Sequence, residues 1–295
     1  MHRIISVRGV LATAAVGALF AVPPAEAQSP QPLSVQTLKG SVYWAEGGAG
    51  ANAGFWIGPD AVVVIDAKMT PDGAREMLAK IRELTPNPVK TVILTHSDGD
   101  HINGLAGFPA GLTIVSSEGT KAEMENAFRD EKLADLRPYL PTSVFRETTD
   151  LARPGGTIRL FAFGPAHTSG DTVVLFPAER IAFVGDLAFL GRDPLIHRSK
   201  GGTSFGLVRT LKSILALEAD VFVPGHGQPL AKSDIDALRR AIEDKQAKVQ
   251  DMLAQGKSLD DIKAAFGIEP GTAPPGGRRW PSLVEVIYLD LVEKK

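Results

Sequence analysis

The chain lacks cysteine and is poor in histidine: none of its 295 residues is Cys and only six are His. The absence of cysteine excludes disulfides, thiolate zinc sites, iron–sulfur clusters and a cysteine nucleophile. A metal ion bound to this chain would therefore be held mainly by imidazole and carboxylate groups. The positions of the few histidines consequently carry most of the chemical information.

The chain also lacks an excess of basic residues, because 32 Lys and Arg stand against 34 Asp and Glu. Proteins that bind nucleic acid usually carry a basic surplus that neutralises phosphates, so the composition disfavours a nucleic-acid partner. We expect a small-molecule substrate instead. The sequence does not determine the oligomeric state.

Long apolar runs are also missing after the first segment of the chain. Residues 1–27 combine a basic start, an apolar run at 9–22 that is shorter than the roughly 20 residues of a bilayer span, and the cleavage pattern Ala25-Glu26-Ala27. This pattern predicts a secretory signal peptide cut after Ala27; a membrane anchor is the alternative. We expect an exported, periplasmic protein with no stable membrane association after cleavage.

The rest of the chain is typical of an α/β protein. A linker is predicted at 28–35, a main domain at 36–267, and a loop and helix packed on that domain at 268–295. Strands are predicted at 41–45, 54–57, 61–65, 89–94, 113–115, 157–163, 172–176, 181–184 and 221–223. Helices are predicted at 71–84, 119–128, 206–217, 233–253, 259–266 and 281–292 from apolar residues at helical spacing.

Potential metal ligands are concentrated where apolar strands end. The run His96-Ser-Asp98-Gly-Asp100-His101 follows the predicted strand at 89–94. Three further residues of the same chemical kind each follow an apolar run or lie beside Gly or Pro. These are His167, Asp186 and His226. Imidazole and carboxylate groups are the usual protein ligands of Zn²⁺ when cysteine is absent.

These motifs resemble the metallo-β-lactamase superfamily, whose signature H-x-H-x-D-H precedes a lone His, a bridging Asp and a final His in a G-H-G turn. The resemblance extends over 38–231. It implies an αβ/βα four-layer sandwich, here with a C-terminal helical extension. It also implies two divalent metal ions, with zinc expected first and manganese or iron as alternatives.

The resemblance assigns each residue a role by its place in the motif. One metal site would contain His96, Asp98 and His167, the other Asp100, His101 and His226, and Asp186 would bridge them. Asp100 would also position the attacking hydroxide and is the implied catalytic residue. Asp66 would support the site from a neighbouring strand. Thr168 and Asp171 are expected to orient His167, although Asp171 could instead serve the turn.

Asp98 departs from the signature, which has histidine at that position. The family's histidine is understood to bind through Nδ1, which is as many bonds from Cα as an Asp Oδ, so Asp98 could reach the same ion. A third aspartate would cancel the positive charge that two divalent ions otherwise keep, and oxygen ligands favour Mn²⁺ or Fe²⁺. In the alternative, Asp98 only caps the backbone of Gly99 or Gly104 and one metal site is incomplete.

Other charged residues outside the motif are assigned no catalytic role. His197 is interpreted as a satisfied or solvated loop residue, and Lys68, Arg192 and Arg198 as surface charges that could also meet an anionic substrate.

The sequence therefore predicts an exported metal-dependent hydrolase that uses a metal-bound hydroxide on a β-lactam, lactone or other small ester or amide. The alternatives are a metal-binding protein without hydrolase activity and a thioester or phosphodiester hydrolase.

Overall fold

A computed structural model of the chain describes residues 32–268 and 280–293. The predicted signal peptide, linker residues 28–31 and the loop at 269–277 lie outside the described residues. The last two linker residues begin the first strand, which starts at Ser34. Within the described part of the chain, no helix combines the length and apolar character needed to cross a membrane.

As far as the chain is described, the first sheet contains seven strands that follow one another in sequence order. The pairs up to the fourth strand are antiparallel and the later pairs are parallel. The strands are β1 (Ser34–Lys39), β2 (Val42–Glu46), β3 (Ala53–Ile57), β4 (Val62–Ile65), β5 (Val89–Ile93), β6 (Thr113–Ser117) and β7 (Ser143–Phe145).

Among the described residues, the second sheet contains five strands, of which only the last two in sequence pair in parallel. They are β8 (Thr148–Arg153), β9 (Gly156–Phe161), β10 (Val173–Phe176), β11 (Ile181–Gly185) and β12 (Val221–Pro224), and their spatial order is β12-β11-β10-β9-β8.

In the described part of the chain, seven α-helices flank the two sheets. They are α1 (Pro71–Leu84), α2 (Gly99–Ile102), α3 (Glu118–Ala127), α4 (Ser204–Ala216), α5 (Lys232–Ala254), α6 (Leu259–Ala265) and α7 (Leu283–Glu293). Helix α1 begins where the sequence predicts, because the Thr70 side chain accepts a hydrogen bond from the Gly73 amide.

Three apolar cores separate four layers. One core lies between the sheets and includes Trp44, Ile93 and Phe176. A second packs α1 on the outer face of the first sheet, and a third packs α4, α5 and α7 on the outer face of the second. The predicted αβ/βα sandwich with a C-terminal helical extension is therefore confirmed.

The predicted strand set is incomplete, because β1, β7 and β8 were not expected. Strands β1 and β8 lie at sheet edges, and only three residues of β7 pair with β6. Strand β8 alternates exposed and half-buried residues and carries no apolar run. Edge strands of this kind leave a weak apolar signal in the sequence.

Sheet topology places the predicted ligands together. Strands β4 and β5 run in parallel, as do β11 and β12, so the loops after each pair leave the same end of their sheet. The loops after β4, β5, β9, β11 and β12 meet at this edge of the sandwich.

Candidate metal centre

The structure brings all seven predicted metal-binding residues into two adjoining groups. His96, Asp98, His167 and Asp186 form one group, and Asp100, His101 and His226 form the other. Within each group the potential ligand atoms lie within 4.8 Å of one another. The side chains come from four separate loops, so the cluster is a product of the tertiary fold.

Asp98 directs its carboxylate into the first group. Its Oδ2 lies 3.2 Å from Nε2 of His167 and 3.6 Å from Nε2 of His96. The residue precedes the first turn of α2, but its side chain makes no capping hydrogen bond there. The structure therefore does not show the capping hydrogen bond on which the alternative interpretation of Asp98 depends.

Asp186 lies between the two groups. Its Oδ1 is 3.2 Å from Nε2 of His101, and its Oδ2 is 3.6 Å from Nε2 of His226 and 3.9 Å from Nε2 of His167. A single carboxylate thus faces imidazoles of both groups, as a bridging ligand would.

Asp100 completes the second group and is its acidic member. Its Oδ2 lies 3.0 Å from Nε2 of His226. The side chain of Asp100 is 28% exposed, whereas those of Asp98 and Asp186 are 11% and 7% exposed. Asp100 is therefore the most accessible of the three carboxylates.

Asp66 contacts His101 of the second group at the ring nitrogen that does not face Asp186. Its Oδ2 lies 2.8 Å from Nδ1 of His101, and its two oxygens accept hydrogen bonds from the amide and the hydroxyl of Thr95. The contact leaves Nε2 of His101 facing Asp186. A carboxylate behind a histidine in this way sets the orientation of a metal-binding ring.

His167 is oriented by a backbone group rather than by its sequence neighbours. Its Nδ1 donates to the carbonyl oxygen of Leu195, 2.7 Å away, and its Nε2 then faces Asp98 and Asp186. Asp171 instead accepts hydrogen bonds from the amide and the hydroxyl of Thr168. Thr168 and Asp171 thus shape the turn after His167, and neither makes the expected hydrogen bond to its ring.

Lys200 pairs with Asp98 and was not predicted. Its Nζ lies 2.6 Å from Oδ1 of Asp98 and also donates to the hydroxyl and the carbonyl oxygen of Ser97. The ammonium group offsets the charge of the third aspartate. The net charge around the centre is therefore restored toward that of a site with two aspartates.

His197 is another residue whose place the sequence did not reveal. It is buried, with 6% of its surface exposed, and its Nε2 lies 3.0 Å from Oδ2 of Asp98. The sequence offers no signal for this contact, because His197 belongs to no motif and is 99 residues away from Asp98.

Lys68 lies inside the protein, which corrects its interpretation as a surface charge. Its Nζ donates to the carbonyl oxygens of Gly47 and Ala51, at 2.7 and 2.5 Å. Burial lowers its pKa from 10.5 to about 8, although Glu76, Asp66 and Asp100 oppose the shift. Lys68 therefore holds the segment before β3 in place from within the protein.

The pKa of Lys68 predicts a pH-dependent stability. In the unfolded chain Lys68 binds its proton up to a pH near 10.5, whereas in the folded chain it loses the proton near pH 8. Between these values the unfolded state binds more protons, so this residue makes the protein more stable as pH rises. Between pH 7 and pH 10 we expect the free energy of unfolding of the wild type to increase by up to about 3 kcal/mol more than that of Lys68→Met. Guanidinium unfolding at pH 7 and pH 10 measures the difference, and a pH-independent difference would contradict the prediction.

The buried carboxylates and imidazoles shift one another's pKa values. Burial opposes the charged form of Asp98, but the imidazoles of His167, His197 and His96 outweigh it and hold the pKa well below its usual range. Burial likewise opposes protonation of His167, but Asp98 and Asp186 raise its pKa to about 9. The pKa of His101 is raised well above its ordinary value against burial, mainly by Asp186 and Asp66.

These shifts predict that metal binding releases protons. With a pKa of about 9, His167 is an imidazolium at pH 7.5 in the metal-free protein, and the raised pKa of His101 favours its charged form, whereas a metal ion binds neutral imidazole. We expect loading with Zn²⁺ at pH 7.5 to release at least about one proton, that of His167, and the number to fall when loading starts above pH 9. Titration calorimetry in two buffers of different ionisation enthalpy gives the number. Loading at pH 7.5 without proton release would contradict the assignment.

The unpaired polar atoms fit a metal ion in chemical type. Among the described residues, Nε2 of His96, Nε2 of His101 and Oδ1 of Asp186 are buried without a hydrogen-bond partner. Unpaired buried polar atoms are costly unless another group satisfies them. These atoms face one another across the two groups, and their nitrogen and oxygen donors suit a divalent transition metal.

A pocket of about 610 Å³ opens over the cluster. Its floor includes Asp98, Asp100, Asp186 and His226. Its walls combine two cationic residues, Arg192 and Lys200, with the apolar side chains of Met69, Phe189, Leu195 and Trp280. Arg192 is held over Phe189, with its guanidinium carbon 4.4 Å from the ring centroid. The volume suits a small organic molecule.

The chain is similar to several known proteins. The family model of the metallo-beta-lactamase superfamily matches residues 47–226. A linear primary-alkylsulfatase of Pseudomonas sp. is 24% identical over 263 residues, which cover 73% of this chain and 49% of the relative. The 2,4-dinitroanisole O-demethylase subunit alpha of Nocardioides sp. is 28% identical over 226 residues, which cover 75% of this chain and 66% of the relative.

A solved structure has the same fold. The stereoselective inverting sec-alkylsulfatase of Pseudomonas sp. superposes with a TM-score of 0.71 at 15% identity, over 87% of this chain and 50% of that chain. The chain thus spans about half the length of the two alkylsulfatases.

Proposed function

Because the chain belongs to the metallo-β-lactamase superfamily, we propose that it is a metal-dependent hydrolase of small anionic esters. The family match covers 180 of the 295 residues, from 47 to 226, and includes every residue of the two ligand groups. The observation that carries the proposal is the convergence of buried, unpaired imidazole and carboxylate atoms beneath an open pocket.

Two divalent ions would be held by the two ligand groups, with Asp186 shared between them. His96, Asp98 and His167 would hold one ion, and Asp100, His101 and His226 the other. Zinc suits this mixed nitrogen and oxygen donor set. Manganese and iron are the alternatives, because the additional carboxylate of Asp98 enriches the site in oxygen.

The residues in and around the pocket would have separate roles in the reaction. Bound divalent ions would supply activation of a water molecule and polarisation of the scissile group. Asp100 is accessible from the pocket, so its carboxylate can accept a hydrogen bond from the attacking molecule and orient it. Asp66 holds His101 in place, and the Leu195 carbonyl does the same for His167.

The pocket walls support a substrate with an anionic group and an apolar body. Arg192 and Lys200 can pair with the anion, while Phe189 and Trp280 can contact the apolar part. The names of the relatives agree with such a molecule, since two are alkylsulfatases. We therefore place sulfate esters of apolar alcohols first among the substrates.

Carbonyl compounds form the second candidate class. A β-lactam or a lactone that carries a carboxylate also combines an anion with an apolar body and would use the same walls. The pocket favours neither class by volume, so a direct comparison of substrates decides between them.

The test compares turnover of several substrates with and without metal. We would measure hydrolysis of hexyl sulfate, nitrocefin, a lactone and a phenyl ester by wild-type protein, by chelator-treated protein, and after Zn²⁺ or Mn²⁺ is restored. We expect turnover of at least one ester, its loss on chelation, and a decrease of at least about 100-fold in His226→Ala. Lys212→Ala, which changes an exposed residue paired with Glu243, is the control.

Two results would overturn the proposal. One is fewer than one metal ion per wild-type chain after loading, and the other is hydrolysis that survives complete removal of metal.

Export is a separate proposal and stands on the sequence pattern of residues 1–27 alone. Expression of the full chain in a Gram-negative host, followed by N-terminal sequencing of the periplasmic fraction, tests it. We expect a mature chain that begins at Gln28, and a full-length cytoplasmic product would contradict the proposal.

A further inference from the structure

His197 lies beside the candidate metal centre on a segment that carries no family motif. It precedes the 3-10 turn Arg198–Lys200 in the connection between β11 and α4. Its ring lies 4.8 Å from the ring of His167 and 4.3 Å from that of Trp280, measured between centroids. Its amide donates to the carbonyl oxygen of His167 at 2.8 Å. The position of His197 is therefore tied to that of a predicted ligand.

The unpaired nitrogen of His197 resembles those of the predicted ligands. Six buried side-chain polar atoms of the described residues lack a hydrogen-bond partner, and four of them lie in this cluster. The four are Nε2 of His96, Nε2 of His101, Oδ1 of Asp186 and Nε2 of His197. Although Nε2 of His197 lies 3.0 Å from Oδ2 of Asp98, the pair lacks hydrogen-bond geometry. Three of the four atoms belong to the predicted ligand set, and His197 supplies the remaining one.

The distances around Asp98 also suit a shared ion. Two donors that bind one tetrahedral ion at about 2.1 Å lie roughly 3.4 Å apart. Oδ2 of Asp98 lies 3.0 Å from His197, 3.2 Å from His167 and 3.6 Å from His96, each measured to Nε2. Three imidazole nitrogens thus lie within 3.6 Å of one carboxylate oxygen. His197 itself lies outside the two groups whose ligand atoms are all within 4.8 Å of one another, so its contact with this site runs through Asp98 and His167.

We propose that His197 is a further ligand of the ion held by His96, Asp98 and His167. It supplies the third imidazole that this site lacks because aspartate occupies position 98. Asp98 then contributes an oxygen ligand, while Lys200 compensates its charge through Oδ1. This inference rests on the proposed metal centre, because His197 can be a ligand only if the chain binds metal.

The substitution His197→Phe tests the proposal with little change of shape. Phenylalanine keeps a ring against Trp280 and His167 but has no nitrogen to offer a metal. We expect the affinity for one of the two Zn²⁺ ions to fall by at least about 100-fold in competition with a chelator. We expect the melting temperature of the metal-free protein to change little. Ser199→Ala, two residues further along the same segment, is the control and should keep both affinities.

X-ray absorption of the zinc-loaded protein separates a ligand from a residue that only positions Asp98. The proposal predicts five imidazoles over two ions in the wild type and four in His197→Phe. In an Asp100→Ala/His226→Ala background, which leaves one site, it predicts three imidazoles on a single ion and two after His197→Phe. An unchanged imidazole count in both comparisons would overturn the role of His197, even with a loss of affinity. Failure of the wild type to bind zinc would overturn the proposed function instead.

Discussion

Replacing Asp186 with alanine should remove the link between the two metal sites and lower kcat/KM by at least about 1,000-fold. Removal of an outer partner of a metal ligand already lowers activity about 10–100-fold, and Asp186 lies within 4 Å of imidazoles from both groups. We expect the metal content of Asp186→Ala to fall from two ions to one or fewer per chain. Elemental analysis after gel filtration, together with turnover of the best substrate, measures both effects.

Asp193→Ala is the matched control for this substitution. Asp193 follows the same strand, but its side chain is 45% exposed and pairs with Lys245. The control should therefore retain both ions and wild-type turnover. If Asp186→Ala bound two ions with unchanged affinity, Asp186 would not be a bridging ligand.

The sequence predicts that these side chains cluster, because its potential ligands follow well-defined strands. His96 and His101 follow β5, Asp186 follows β11 and His226 follows β12, so each potential ligand lies at the end of an apolar run. Once the family resemblance supplies the sheet order, these loops meet at one edge. The layered fold and the two ligand groups therefore follow from local patterns combined with one topology.

The residues that the sequence did not reveal share a different property. His197 and Lys200 act on Asp98 only because the connection after β11 returns across the sheet edge. Lys68 becomes buried only because the segment that holds Gly47 and Ala51 packs over it. None of these contacts has a periodicity or a spacing in the sequence. They arise from tertiary packing, so they can be recognised only in the three-dimensional structure.

Position 98 shows how a departure from a motif can be balanced elsewhere in the fold. The sequence alone suggests that Asp98 makes the centre less positive. In the structure, Lys200 places an ammonium group 2.6 Å from the same carboxylate, and His197 adds an imidazole on the other oxygen. Together the three side chains provide one imidazole and nearly neutral total charge, much as a single histidine would. The centre need not be a weaker Lewis acid than that of other family members.

Gly225 is the second position at which a small change should have a large effect. A Cβ atom at this position would lie 2.1 Å from Oδ1 of Asp186 and 2.7 Å from Cε1 of His101. Both neighbours are buried and cannot move away at little cost. We expect Gly225→Ala to lower the affinity for metal by at least about 100-fold. The metal-free protein should also lose about 1–3 kcal/mol of its free energy of unfolding, as overpacked cores do.

The backbone at Gly225 cannot easily move to relieve this clash, because its amide and its carbonyl oxygen are both hydrogen-bonded. Its amide donates to the carbonyl oxygen of Gly185, and its own carbonyl oxygen accepts from the amide of Asn52, at 2.8 and 2.6 Å. Strand β12 is therefore fixed at its end, directly beside the bridging carboxylate. The displacement must fall on Asp186, which the two ions would share, or on His101, a predicted ligand of one of them.

Gly227→Ala separates this clash from general strain in the turn. Gly227 has a positive φ of 88°, so alanine there costs on the order of 1–2 kcal/mol, but its Cβ would meet no heavy atom within 4 Å. We expect Gly227→Ala to be less stable than the wild type and still to bind two ions, whereas Gly225→Ala should lose them. Chelator competition for metal and chemical unfolding of the metal-free proteins give the two quantities independently. Equal metal affinity in both variants would show that Asp186 can move without loss of the centre, and would remove the steric argument for its bridging position.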